Sequence, residues 1–255
     1  MRPFELPLAT NVPFEKRNGH GCWVTGQLMS PLNELVGQAE NLARNFHRWY
    51  GDKKDKIDNS LQTMMELVQW SARMARNFAW LAKPDESDVA PTLEVYDNFV
   101  NLLIECARNV QGIAKAMGLN RVHVVGGPLA VLNNSIAIDS SLFKQAILNV
   151  LDNAVKYSDA GSEIQITGGK ENGFGIIVIT NWGIQLHEND IEQIFGHGYR
   201  TVEAKEKDGT GTGIGLGIAR SIAQLHRGTL TASPSEKTDR GWKTSFVFKL
   251  PVSET

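Results

Sequence analysis

Two amides and one cation recur at helical spacing in the second half of the chain. Asn149, Asn153 and Lys156 are separated by four and three residues, so they share one face of a predicted helix, with Tyr157 beside them. Amide, ammonium and phenol groups make a poor core face but a suitable wall for a nucleotide and its metal, because Mg²⁺ prefers oxygen ligands and keeps several waters. On these residues alone, a solvated helix face is an equally good interpretation.

A run of alternating glycines follows at 209–217 and leads directly into an apolar, helix-like sequence. Glycines let the main chain approach phosphates closely, and the helix that follows offers N–H groups at its positive end. The spacing is not that of a P-loop or of a dinucleotide-binding fold. The run predicts a phosphate cradle; a flexible linker is the alternative, which the helical sequence after it disfavours.

The composition limits what else the chain could be. Its 255 residues contain 42% apolar residues, a net charge of −2 and two cysteines without metal-site spacing. These values exclude a small disulfide scaffold, wholesale disorder and a broad basic surface for nucleic acid. No run approaches the roughly 18 apolar residues of a membrane span, so we expect a soluble, cytoplasmic chain with no membrane segment of its own.

The first third of the chain has a coiled-coil pattern. Apolar residues recur with alternating steps of four and three over 28–49 and again over 57–82, with a polar turn at 51–56. We therefore predict a two-helix antiparallel hairpin that pairs with a second copy into a four-helix bundle; docking on the rest of the same chain is the alternative. The predicted division is a tail or connector at 1–22, the hairpin at 23–84 and a second domain at 85–255.

The second domain mixes helices and strands. We predict helices over 99–118, from an N-cap at Asp139 to Tyr157, and over 214–225. Predicted strands cover 121–125, 163–168, 175–180 and 244–250. The whole chain is therefore expected to be α+β, with a helical hairpin followed by a domain whose helices cover one face of a mainly antiparallel sheet.

Four segments of this domain, in order, resemble the catalytic domain of sensor histidine kinases, in the ATPase superfamily shared with gyrase and the ninety-kilodalton heat-shock chaperone. Residues 145–158 resemble the asparagine box, 180–186 the first glycine box, 194–201 the phenylalanine box and 211–216 the second glycine box. The likeness extends over about 93–251 and implies an α/β sandwich ATP-binding domain.

The resemblance also implies roles for the residues that match. Asn153 would coordinate Mg²⁺, Asn149 would support the metal and phosphates, and Lys156 would pair with phosphate. Tyr157 would pack beside adenine, and Arg200, on a mobile lid at 196–210, would reach the terminal phosphate. The main chain of the second glycine box would bind the phosphates, with nucleotide-binding positions at Gly211, Thr212, Gly213, Ile214, Gly215 and Leu216.

Two departures qualify the nucleotide site. The first glycine box supplies Asn181 and Gly183, and Asn181 stands where the family has an aspartate, so its hydrogen bond to adenine lacks charge assistance. Asn149 stands where the hydrolysing ATPases place a glutamate base, and an amide cannot remove a proton. Transfer to a side chain is therefore favoured over hydrolysis.

The hairpin lacks the family's phosphoacceptor. In the aligned segment 25–32, Pro31 matches, but Gly26 occupies the position of the histidine and Gln27 that of the neighbouring acid. His20 and His47 are interpreted as solvated surface residues. Gly26 is explained by an engineered substitution, by a pseudo-acceptor whose kinase domain acts on a partner chain, or by a scaffold that works without phosphotransfer.

The expected function is a two-component sensor histidine kinase core, a protein-histidine kinase. It would bind Mg·ATP, transfer phosphate to a histidine and relay it to a response regulator, as a homodimer whose own acceptor position is lost at Gly26. The alternative is a catalytically silent pseudokinase, or an ATP-dependent regulatory scaffold that binds a response regulator. The signal, the cognate regulator and the choice between cis and trans transfer are left open.

Overall fold

The computed structural model describes residues 90–208 and 211–253, together with six helical positions upstream: Val68, Ser71, Ala72, Ala75, Asn77 and Trp80. The predicted tail, the first hairpin helix with Gly26, and the turn at 51–56 lie outside the described residues. The four-helix bundle and the domain boundaries therefore stay predictions.

Five helices are formed in the continuous ranges. They are α1 (Phe99–Ala116), α2 (Gly126–Leu129), α3 (Ser140–Tyr157), α4 (Val202–Lys207) and α5 (Gly215–Leu225), with 3₁₀ turns at Ala130–Leu132, Glu188–Asp190 and Gln193–Phe195.

The N-cap predicted for α3 is confirmed. The Asp139 carboxylate accepts hydrogen bonds from the backbone N–H groups of Ser141 and Leu142, both at 3.1 Å. These bonds satisfy two donors that the first turn of a helix leaves without a partner, so they fix where α3 begins.

The strands form one large sheet and one small ribbon. They are β1 (Glu94–Val95), β2 (Arg121–Val124), β3 (Ala137–Ile138), β4 (Glu163–Glu171), β5 (Phe174–Gly183), β6 (Thr229–Ala232), β7 (Glu236–Thr238) and β8 (Gly241–Pro251).

The large sheet has the order β2-β4-β5-β8-β6, with β7 also paired to β8, and β1 pairs with β3 separately. Only the β2–β4 pair is parallel; the other described pairs are antiparallel. The α+β class with a mainly antiparallel sheet is thus confirmed. β4, β5 and β8 extend beyond their predicted ends because long cross-strand pairing continues the ladder. A two-residue turn with positive φ at Asn172 and Gly173 joins β4 to β5.

The core lies between the long helices and the sheet. Phe143 on α3 is fully buried, with its ring centroid 5.7 Å from that of Phe99 and 5.6 Å from that of Phe248. Beside it, the buried His226 accepts from the N–H of Asp139 through Nε2 at 3.0 Å, and its Nδ1 lies 2.7 Å from the carbonyl oxygen of Ile222. Since His226 follows α5 and Asp139 caps α3, this ring fixes the two helices relative to each other.

Candidate functional site

A cleft that is open to solvent lies between α3, α5, the ends of β5 and β8, and the segment around α4. Its walls combine apolar side chains with a few polar groups, as is typical of small-molecule sites. The predicted site residues that line it are Asn149, Asn153, Lys156, Tyr157, Asn181, Arg200, Gly211, Thr212, Gly213, Gly215 and Leu216.

One wall of the cleft is the polar face of α3. Asn149 is buried, and Asn153, Lys156 and Tyr157 are half-buried along the same face, as the spacing predicts. Lys156 forms an ion pair of 2.8 Å with Asp152 one helical turn before it. Asp152 was not predicted as a site residue, although its position four residues before a lysine on this face is a usable signal.

The N-terminus of α5 lies beside this wall and also lines the cleft. Ile214 occupies the N-cap position, and its apolar side chain offers no acceptor to the first N–H groups of the helix. A Cβ atom added to Gly215 would lie 3.7 Å from Cγ of Asn149, so the helix terminus faces the amide wall at close range. Donors at the positive end of a helix attract anions.

Gly213, in the loop before α5, has a left-handed backbone conformation with φ +70°, which glycine adopts without strain. A Cβ there would lie 2.7 Å from the carbonyl carbon of Gly198, and the N–H of Gly198 donates to the carbonyl of Gly213 at 3.0 Å. The phosphate-cradle segment is therefore packed directly on the segment that precedes α4.

Two predicted nucleotide-binding positions lie off the cleft surface. Gly183 sits where β5 passes the end of α3, and a Cβ there would collide with the carbonyl oxygen of Tyr157. Ile214 is buried in the apolar core. The structure gives both residues a packing role, and the predicted ligand contacts of both stay untested.

The floor of the cleft comes from β5 and β8. Asn181 is 3% exposed and lies opposite Thr244 in the β5–β8 register. Phe246, Leu186 and Ile194 add apolar surface beside them. Thr244 and Phe246 were missed as site residues, because only the pairing of distant strands brings them here.

Arg200 and α4 form one side of the cleft. The side chain of Thr201 caps α4 by accepting a hydrogen bond from the N–H of Ala204 at 3.1 Å. Nη2 of Arg200 donates to the carbonyls of Ala204, at 2.7 Å, and Asp208. The buried Nε of Arg200 has no hydrogen-bond partner among the described residues. The predicted lid thus contains a short helix that sequence did not predict; its mobility stays a prediction.

One residue of the cleft comes from the hairpin side of the chain. Asn77 lines the cleft and forms two hydrogen bonds with Asn149. Nδ2 of Asn77 donates to Oδ1 of Asn149 at 3.0 Å, and Nδ2 of Asn149 donates to Oδ1 of Asn77 at 3.1 Å. Sequence reasoning missed this residue because it lies beside, not on, the predicted apolar stripe.

Residues 138–254 match the family model described as histidine kinase-, DNA gyrase B-, and HSP90-like ATPase. Because of this similarity, we call the domain that contains these residues the ATPase domain. The sensor protein CzcS of Cupriavidus metallidurans is 28% identical over 242 residues, which are 94% of this chain and 47% of that protein. The probable sensor kinase SilS of Salmonella typhimurium is 23% identical over 241 residues, 94% of this chain and 46% of that protein. The chain therefore spans about half the length of the curated relatives it matches.

Solved structures agree with the fold. Full-length ShkA in complex with AMPPNP aligns over 92% of this chain and 46% of its own, with 18% identity and a TM-score of 0.57. The Acinetobacter baumannii histidine kinase AdeS aligns over 92% of this chain and 98% of its own, with 16% identity and a TM-score of 0.52. The resemblance to a sensor histidine kinase core is thus confirmed, and the two solved structures confirm its fold.

Polar contacts join α4 to the rest of the ATPase domain. Nζ of Lys207 lies 2.7 Å from Oδ1 of Asp159, and Nε2 of His187 lies 3.3 Å from Oε1 of Glu203. The pKa of Glu203 is lowered, first by its own backbone N–H and then by Thr201 and His187. These groups are exposed, so water competes for each contact.

The side chains of the cleft could hold a metal ion only together with phosphate oxygens and water. Across the described residues, no group of three or more His, Cys, Asp or Glu side chains could hold a metal ion. Asn153 offers an amide oxygen to the cleft, which suits Mg²⁺ when phosphate oxygens and waters fill the remaining positions.

Within the described ranges, every helix is too short or too polar to cross a membrane.

Proposed function

We propose that this chain is the cytoplasmic core of a two-component sensor histidine kinase, which binds Mg·ATP in the described cleft and transfers its terminal phosphoryl group to a histidine. A response-regulator aspartate would receive the phosphoryl group next, and the hairpin would form the homodimer. One observation carries the proposal: the amide and lysine face of α3 and the N-terminus of α5, which has no side-chain cap, line one cleft side by side.

The phosphate chain would lie against the N-terminus of α5. The main chain of Gly211, Gly213 and Gly215 would donate to its oxygens, and Lys156 would turn from Asp152 towards them. The buried Nε–H of Arg200 has no partner among the described residues, so it could donate to a phosphate oxygen without losing another hydrogen bond.

Adenine would occupy the apolar end of the cleft. The amide oxygen of Asn181 would accept from the adenine amine, between the ring of Tyr157 and the side chains of Leu186 and Ile194. Because Asn181 is buried, an unmatched ligand would leave its amide without a partner, which disfavours bases that lack the donor.

Asn153 would hold Mg²⁺ through its amide oxygen. When bound, the ion would neutralise charge on the phosphate oxygens as the phosphoryl group transfers. The contribution of the chain is to place one oxygen ligand on a helix whose position is fixed by the core.

The cleft favours transfer over hydrolysis. Asp152 is the only carboxylate among the described lining residues, and it is paired with Lys156. Asn149, in the place of a base, cannot remove a proton from water. The described lining residues include no histidine, so a phosphoacceptor histidine would have to enter from outside the cleft.

A second candidate function, a pseudokinase or ATP-dependent scaffold, is favoured by one specific residue. Gly26 carries no nucleophile, so the chain itself would gain no phosphate at the usual position. Under this alternative, nucleotide occupancy would change how the chain binds a response regulator.

Nucleotide binding is tested by calorimetry of the full chain with ATP, with and without Mg²⁺. Asn153→Ala should weaken the Mg²⁺-dependent part of the affinity about tenfold or more, because a metal ligand is removed. Asn101→Ala, an exposed change on α1 away from the cleft, is the matched control. Equal affinity in the Asn153 and Asn101 variants would remove the metal assignment.

Phosphoryl transfer is tested with labelled ATP and a Gly26→His chain, alone and mixed with the original chain. Acid-labile phosphate on the Gly26→His chain supports the kinase; Gly26→Ala, which cannot accept, is the control. If the Gly26→His chain binds Mg·ATP but never gains acid-labile phosphate, the scaffold function replaces the kinase.

A further inference from the structure

The proposed nucleotide cleft contains a residue from upstream of the predicted start of the ATPase domain. Asn77 lies in a helical segment upstream of the predicted boundary at 84, yet it is only 5% exposed and lines the cleft. Trp80, three residues later and on the same helical face, is buried in the apolar core with residues of α1 and α3. The docked tryptophan holds the helix where Asn77 reaches the cleft.

The bonds of Asn77 determine its orientation. Its Oδ1 accepts from Nδ2 of Asn149 and from Nε2 of Gln145, both at 3.1 Å, and its Nδ2 donates to Oδ1 of Asn149 at 3.0 Å. If the amide of Asn77 alone were flipped, its N–H groups would face two donors. The three amides are therefore oriented together, and the two bonds from Asn77 hold the amide plane of Asn149.

The remaining bonding capacity of Asn149 faces the cleft. An amide has two N–H groups and an oxygen with two lone pairs, and the pair with Asn77 uses one of each. One N–H and one lone pair of Asn149 remain beside the N-terminus of α5, where the phosphates are proposed to bind. Their direction is fixed because the amide plane is held by both bonds to Asn77.

We propose that Asn77 is a positioning residue of the nucleotide site: it fixes the amide of Asn149, so the affinity for Mg·ATP depends on the hairpin-side helix being docked on the ATPase domain. This inference rests on the proposed function. By linkage, nucleotide binding must also strengthen the docking of that helix by the same factor.

The test is a double-mutant cycle in the full chain, with the dissociation constant of Mg·ATP as the readout. Asn77→Ala should weaken binding roughly three- to tenfold, because the amide of Asn149 loses both bonds that orient it. In an Asn149→Ala background, Asn77→Ala should have no further effect, which a general loss of stability would not produce. Val68→Ala, a half-buried change in the same segment and away from the cleft, is the control for altered helix content.

Asn77→Asp is the second variant, in case the alanine change disturbs folding. It keeps the size of the side chain but places an acceptor against Oδ1 of Asn149, so it should weaken binding at least as much as alanine does. Unchanged or tighter binding in both variants, while Asn149→Ala weakens binding, would overturn the positioning role and leave the proposed function intact. Failure of the original chain to bind Mg·ATP would overturn the proposed function itself, and this inference with it.

Discussion

Helices α3 and α4 both line the cleft, but different forces hold them in place. α3 has 18 residues, eight of them buried, and a side-chain N-cap, and it packs against α1, α5 and the sheet. α4 has six residues, of which only Ala204 is buried, and it is held by a cap, by Arg200 and by exposed ion pairs. Apolar burial fixes one wall, whereas the contacts of the other can be exchanged for water or ligand. We therefore expect α4 to open while α3 stays in place.

The largest contrast should appear in stability. Phe143→Ala on α3 removes a fully buried ring between Phe99 and Phe248, so it should lower the free energy of unfolding by about 3–5 kcal/mol. Val202→Ala on α4, at a side chain that is 66% exposed, should change it by less than about 0.5 kcal/mol. Urea unfolding followed by circular dichroism measures both. A loss below about 1 kcal/mol for Phe143→Ala would contradict the burial argument.

Thiol chemistry gives a second contrast. Burial is the main cause that raises the pKa of Cys106, on α1 against α3, from 9.0 to about 12. Since the folded pKa is the higher one, this group favours the folded state below pH 9, and that stabilisation is lost as the pH rises from 9 towards 12. At pH 8, alkylation of Cys106 by iodoacetamide should be at least about a hundredfold slower in the native chain than in urea.

The matched variant is Ala204→Cys, which places a thiol at the buried position of α4. Its alkylation in the native chain should be much faster than that of Cys106, because α4 opens locally. Mass spectrometry of the two peptides compares the rates within one sample. Equal protection of both thiols would mean that α4 is as firmly held as α1.

The smallest contrast concerns the helix caps. Asp139→Ala should lower the free energy of unfolding by about 1 kcal/mol, and Asp139→Asn, which still caps, should recover most of it. Thr201→Ala removes the cap of α4, so it should speed amide hydrogen exchange over 202–207 with little change in global stability. Hydrogen exchange with mass spectrometry separates the two cases. A global loss in Thr201→Ala equal to that in Asp139→Ala would remove the distinction between the helices.

The sequence predicts α3 well because its signals are local. The spacing of Asn149, Asn153 and Lys156 and the cap at Asp139 depend only on helical geometry, and all four are where the pattern predicts. α4 was missed because six mostly charged residues carry too little apolar periodicity to indicate a helix.

The missed site residues depend on distant partners. Thr244 reaches the floor only because β8 pairs with β5 in a register that sets it opposite Asn181. Asn77 reaches Asn149 only because Trp80 docks on the ATPase domain. Gly183 was interpreted as a ligand contact because the sequence does not show that the carbonyl of Tyr157 fills the space of its missing side chain.

The position of β8 has a consequence for how the chain is made on the ribosome. β8 lies between β5 and β6 and carries Thr244 and Phe246, so both the sheet and the floor of the cleft wait for residues 241–251 to be translated. Until then, one edge of β5 has no partner strand, and such an edge is a template for association with other chains. A nascent chain that stalls before this strand would therefore expose that edge to other chains.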